Sequence, residues 1–107
     1  MDFFKPVYKS YDVAILIIAF NRPQYIQKQL ESLRLVKPQN IFLACDGPRD
    51  HVKDDKAKIK LVRKAYLEGI DWQCNVKTRF SKTNQGCSKG PINAITWYFS
   101  QVKEGII

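Results

Sequence analysis

Three short polar clusters in this chain carry residue types that could recognise a phosphorylated, hydrogen-bonding ligand. They are Asn21-Arg22, Asp46-Gly47-Pro48, and the segment TNQGCSKG from Thr83 to Gly90. A carboxylate such as Asp46 accepts hydrogen bonds from ring N–H groups or ribose hydroxyls. The guanidinium of Arg22 has the fork geometry and permanent charge that suit a phosphate. Gly86 and Gly90 let a backbone approach a ligand closely. A helix that begins near Gly90 turns its free N–H groups toward an anion, and Lys89 stands beside that terminus. Each feature has a plainer reading. Asp-Gly-Pro favours a turn whatever else it does, Arg22 could be a surface or helix-start arginine, and Asn84–Gly86 could be only a loop. Together they point to ligand binding only if the fold brings them to one place.

The elements between them decide that. DVAILIIAF, Asp12 to Phe20, is nearly unbroken Val, Ile and Leu, as in a strand buried on both faces of a parallel sheet. Asn21-Arg22-Pro23 ends it, and Pro23 suits a first helical turn. Ile26, Leu30 and Leu33 then repeat at i, i+4, i+7, one face of a helix that Pro38 closes. Asn40 to Cys45 is a second apolar strand. A helical pattern returns over about 50–68, with Ile59, Val62 and Tyr66 as its apolar stripe and Lys53, Lys56, Lys60 and Lys64 along a different, solvated face. Gly69 is a natural stop. Cys74 to Phe80 is a third strand with alternating polarity. Pro91 is expected to open a last helix with Ile92, Ile95, Phe99 and Val102 on one face. Lys103-Glu104-Gly105 turns the chain, and Ile106-Ile107 begin a fourth strand.

Strand and helix thus alternate three times before a strand that barely starts. That alternation predicts an α/β fold, a three-layer Rossmann-like sandwich with a mainly parallel sheet and helices on both faces. Right-handed crossovers place strand one inside the sheet, strands two and three to one side and strand four on the other. In such sheets ligands bind beyond the C-terminal strand ends. All three polar clusters follow strands there, so they are expected on one rim.

Composition bounds the rest. The chain has 107 residues, enough for a single domain spanning 1–107. Its 18 basic and 10 acidic residues give a net charge of +8, which allows anionic partners without choosing among them. No apolar run approaches the ~20 residues of a membrane span, and the N-terminal segment lacks a signal-peptide core, so a cytoplasmic location is expected. Cys45, Cys74 and Cys87 form no CxxC pair and are expected to be reduced, with Cys45 in the core. His51, the sole histidine, reads as a solvent-exposed helix start, and Trp97 and Tyr98 read as packing residues. Neither G-x-G-x-x-G after strand one nor G-x-x-x-x-G-K-[ST] is present, which disfavours a dinucleotide-binding domain and a P-loop enzyme.

The ordered series VAILIIAFNRP, IFLACDGPR, IDWQCNVKTRFSKTNQGCSKG and AITWYFSQVKEGII resembles the N-terminal half of a GT-A glycosyltransferase. It is most similar to bacterial family-2-like nucleotide-diphospho-sugar transferases, over about Val13 to Ile107. The resemblance implies that Ala19, Phe20, Asn21 and Arg22 border a donor nucleotide, usually a uridine diphosphate. It implies that Asp46 recognises the base, and that Asn84, Gly86 and Lys89 lie near the ribose or diphosphate.

In that family the fourth strand runs into an acidic D-x-D or E-D-D motif that holds Mn or Mg against the donor. The sequence ends before such a motif, so the resemblance implies a truncated donor half, inactive alone. It carries no cofactor, and neither a catalytic nor a metal-ligating residue is assigned in it. Asp54-Asp55 is expected within a helix, far from the rim. The implied partners are a nucleoside-diphosphate sugar and, in the intact enzyme, a glycan or glycolipid acceptor, without nucleic acid. Peripheral membrane association and self-association are both compatible with this reading. The alternative is a basic module that engages nucleic acid or an anionic surface through the lysine row.

Overall fold

The computed structural model of the chain describes residues 14–102 and 105–107. The element order is β1 (Ala14–Ala19), a 3-10 turn (Pro23–Tyr25), α1 (Ile26–Val36), β2 (Asn40–Cys45), α2 (Asp55–Gly69), β3 (Asn75–Phe80), α3 (Gly86–Gln101) and β4 (Gly105–Ile106). The first two residues of the expected first strand, and Lys103-Glu104 of the expected turn, lie outside the described residues.

Every strand pairing is parallel, and the order is β3-β2-β1-β4, as the crossover argument requires. β2 is interior, and Ile41 to Cys45 are all buried. β1, expected to be buried on both faces, is buried at Ala14, Leu16 and Ile17, but Ile18 is 40% exposed where it borders the cavity at the strand's end. The outer strand β3 is mostly exposed or half-buried, in keeping with its alternating polarity. Register fixes the rim: Ala19 pairs with Cys45, and Cys45 pairs with Phe80. The three strands therefore finish side by side, and their following loops emerge together. The ladder runs one step further, with Asp46 N–H donating to the Ala19 carbonyl at 3.2 Å and Ser81 N–H to the Cys45 carbonyl at 3.0 Å.

Alternate residues of each strand face opposite layers. Ile17, Ile41, Leu43 and Cys45 pack with Ile26 and Leu30 of α1 and with Ile59, Val62 and Tyr66 of α2. Ala14, Leu16, Phe42 and Ala44 pack with Ala94 and Tyr98 of α3. The Phe42 ring meets Trp97 and Tyr98 edge to face, at centroid distances of 5.3 and 5.1 Å. Both aromatic residues are packing residues, as expected. The Tyr98 hydroxyl donates to the carbonyl of Ala14.

Two local expectations need correction. α2 begins at Asp55 rather than near residue 50, because the preceding residues form turns. α3 begins at Gly86, so Pro91 lies inside the helix instead of opening it. Its buried stripe is Ala94 and Tyr98, while Ile92 and Phe99 are 61% and 45% exposed. One helix alone covers this side of the sheet among the described elements. The small Ala94 lets it sit close, and Ile95 and Val102 pack half-buried against the same cluster.

Candidate functional site

A cavity of about 600 Å³ opens at the C-terminal edge of the sheet. Its floor is the ends of β1 and β2, and its walls are the loops after β1, β2 and β3 with the start of α3. Ala19, Phe20, Asn21, Arg22, Asp46, Asn84 and Gly86 all line it. Lys89 does not; it is exposed on the first turns of α3. The convergence expected of the polar clusters is therefore realised for all of these residues except Lys89.

Asp46 organises the loop after β3. Its Oδ1 accepts the N–H groups of Gly47 and Gln85, each at 2.8 Å. Its Oδ2 accepts the Gly86 N–H at 3.2 Å and the Asn84 side-chain amide at 3.3 Å. A carboxylate offers about four acceptor positions, and this chain supplies a donor to each. Gln85 and Gly86 open α3, whose own N-cap makes no side-chain hydrogen bond. The N-terminus of α3, expected as an anion site, thus holds the carboxylate of Asp46, a negative charge placed where the helix dipole favours it. Gly86 has φ of +94°, a conformation that L side chains rarely adopt. A Cβ on Gly90 would lie 3.1 Å from Oδ2, so that glycine leaves room for the carboxylate. Asn84 completes the link through a second bond, 3.0 Å to the Gly47 carbonyl.

Asp55 is the residue the sequence misplaced. It is not remote from the rim: it is 1% exposed and joins two of the loops that wall the cavity. Asn21 donates to its Oδ1 at 3.0 Å. Arg49 donates to it three times, from Nε at 2.6 Å, from Nη2 at 2.9 Å and from its backbone N–H at 3.1 Å. The Arg49 guanidinium in this bidentate pair holds the Asp55 carboxyl well below the ordinary carboxylate range, against the opposing push of desolvation. Arg49 also lies over the Phe20 ring, 5.4 Å from its centroid. The loops after β1 and β2 are therefore tied through one buried acid.

A third clamp comes from Arg63. Its Nη2 reaches the carbonyls of Ser81 at 2.8 Å, Asp46 at 3.2 Å and Cys45 at 3.5 Å, and the guanidinium stacks over Phe80 at 4.7 Å. Its Nε is buried without a hydrogen-bond partner. Burial pushes the neighbouring Cys45 thiol up, opposed by Arg63. All three cysteines are free, with Cys45 in the core as expected.

Two cavity-lining cations remain for a ligand. Arg22 and Arg79 both line the cavity, and among the described residues neither guanidinium has an ion-pair or hydrogen-bond partner. Arg79 escaped notice in the sequence because it reads as one polar position of an alternating strand. The register that places it beside Ala44, toward the cavity, is a tertiary fact. Arg49 stands in the quoted DGPR motif but carries no local sign of its partner. Phe20, Tyr25 and Ile18 supply apolar wall, and Tyr25 is 60% exposed. Among the described residues no group of three or more His, Cys, Asp or Glu side chains comes together to hold a metal ion.

No protein-family model, curated protein or solved structure matches this chain.

Proposed function

We propose that this chain is a donor-nucleotide-binding domain of a GT-A glycosyltransferase of the family-2-like type, binding a nucleoside-diphosphate sugar with UDP as the nucleotide. One observation carries the reading. The cavity at the C-terminal edge of a parallel sheet combines an apolar and aromatic wall with two unpaired guanidinium groups, Arg22 and Arg79. A flat base suits the wall of Phe20 and Tyr25, and a diphosphate suits the guanidiniums. The volume falls within the range of about 300–1,000 Å³ usual for small-ligand sites.

In the transfer reaction an acceptor hydroxyl attacks the anomeric carbon and the nucleoside diphosphate departs. Cations beside the diphosphate stabilise the charge that develops on it. Arg22 and Arg79 would serve in that way, while Asp46 and Asp55 hold the walls in place. The base contact that the resemblance implies for Asp46 has a cost in this geometry. A ring N–H must displace one of the four donors, and the longest bond, from Asn84 at 3.3 Å, is the one to yield.

An NMR titration of the chain with UDP and with uridine tests the reading. UDP is expected to bind with a Kd near 1 mM, about −4 kcal/mol. Arg22→Met and Arg79→Met should each weaken UDP about tenfold, the value of one lost charge-assisted hydrogen bond, and leave uridine unchanged. UDP binding no tighter than uridine, and indifferent to both substitutions, would remove the diphosphate site and the proposal with it.

A further inference from the structure

The outward face of α2 takes no part in the cavity. Ile59, Val62 and Tyr66 turn to the sheet, so the opposite side of the helix is the outermost surface of that layer. Lys56, Lys60 and Lys64 recur there at intervals of four, and Lys53 stands just before the helix; all are exposed. Leu61 and Leu67 lie at the borders of this face, 56% and 51% exposed. Little negative charge offsets the lysines. Glu68 approaches Lys64 only at 3.9 Å, with both side chains about two-thirds exposed, and Asp54 is engaged by Lys58. Asp55, the acid at the start of α2, is buried against Arg49. A chain with net charge +8 therefore concentrates cations on one helix and frames them with leucines that contribute no core.

We propose that this face of α2 docks on an anionic lipid surface. The chemistry favours lipid headgroups over nucleic acid. The face presents lysines and no arginine, so it offers mobile point charges rather than the planar forks that grip particular phosphates. Compact, hydrated ammonium groups suit a fluid layer of headgroups, and the bordering leucines can enter its apolar boundary. A polynucleotide backbone gives those leucines nothing to contact. The arrangement also leaves the cavity open. α2 starts at the rim, where Asp55 meets Asn21 and Arg49, and runs away from it, so a surface lying along the helix does not cover the C-terminal edge of the sheet. This inference is independent of what the cavity binds.

Co-sedimentation of the full chain with vesicles provides the test. Binding is expected to phosphatidylcholine vesicles carrying phosphatidylserine, and not to phosphatidylcholine alone. It should fall steeply with salt, as the Debye length shrinks from about 10 Å at 0.1 M to about 3 Å at 1 M. Each lysine at such a surface is worth about fivefold in partitioning, so Lys56→Gln with Lys60→Gln should reduce binding about 25-fold. Lys82→Gln with Lys89→Gln removes the same charge on the other side of the sheet and should leave most of the binding intact. Leu61→Ser with Leu67→Ser should lower vesicle binding severalfold and leave binding to a single-stranded oligonucleotide unchanged. All four lysines and both leucines are exposed, and circular dichroism checks that each variant remains folded. Absence of binding to phosphatidylserine vesicles would overturn the proposal. So would equal losses from the two lysine pairs, or indifference to the leucine substitutions.

Discussion

Replacing Asp46 separates two roles that one carboxylate could play. If it holds the start of α3, its loss acts first on stability; if it only touches a ligand, its loss acts on affinity alone. Asp46→Ala strands the N–H groups of Gly47, Gln85 and Gly86 and the Asn84 amide. An N-cap is worth about 1 kcal/mol, and hydrogen bonds to a charged group about 1.5–3 kcal/mol each when short and buried. Two of these bonds are short, two are long, and the side chain is half-buried. A total near 3 kcal/mol is therefore expected, out of about 5–15 kcal/mol for a domain of this size. At about 4 °C per kcal/mol for a chain near 100 residues, the melting temperature should fall by roughly 12 °C. Asp46→Asn keeps one oxygen for the two short bonds and turns an amide N–H₂ toward the Gly86 N–H. It should cost about 1 kcal/mol. Thermal and urea denaturation followed by circular dichroism measure both, and hydrogen exchange localises the loss to the Gln85 and Gly86 amides. A melting temperature of Asp46→Ala within about 2 °C of the parent would refute the capping argument.

Two further perturbations probe the rim. Asp55→Asn should lower the melting temperature at neutral pH. A carboxyl whose pKa is depressed in the folded chain contributes stability that is fully present above its unfolded value near 4 and is lost as pH falls through the folded one. The gap between parent and variant should therefore narrow as pH drops below about 5, and a gap constant from pH 7 to pH 3 would count against the Arg49 pair as its cause. In Gly47→Ala the new Cβ would lie 2.5 to 2.7 Å from the backbone of Thr83, which no side-chain rotation relieves. It should destabilise by about 2 kcal/mol, and a denaturation midpoint equal to the parent's would show that the β2 and β3 loops are not so closely apposed.

What the sequence made legible was whatever local pattern and chain connectivity govern. β2 runs from Asn40 to Cys45 as read, because its apolar run is bounded by a polar residue and by Asp-Gly-Pro. The strand order followed from alternation and the hand of crossovers. The misreadings share one cause, partners distant in the chain. α3 starts five residues before Pro91 because Asp46, 39 and 40 residues away from Gln85 and Gly86, supplies its cap. Asp55 looked remote because Asn21, 34 residues away, and Arg49 bind it only once the loops have met. The buried face of α3 was not legible because apolar spacing marks which residues could be buried. The closeness of the helix to Leu16, Phe42 and Ala44 selects Ala94 and Tyr98 instead.

The central claim is that the cavity at the sheet edge binds a nucleoside diphosphate, and a backbone amide shift map of the chain during titration with UDP tests it most directly. Shifts are expected to be confined to residues 18–26, 44–49, 79–81 and 84–87, segments that meet around the cavity, with Arg22 and Arg79 among the most affected. Shifts centred on residues 53–64, with those four segments silent, would contradict it and leave the cavity without its proposed ligand.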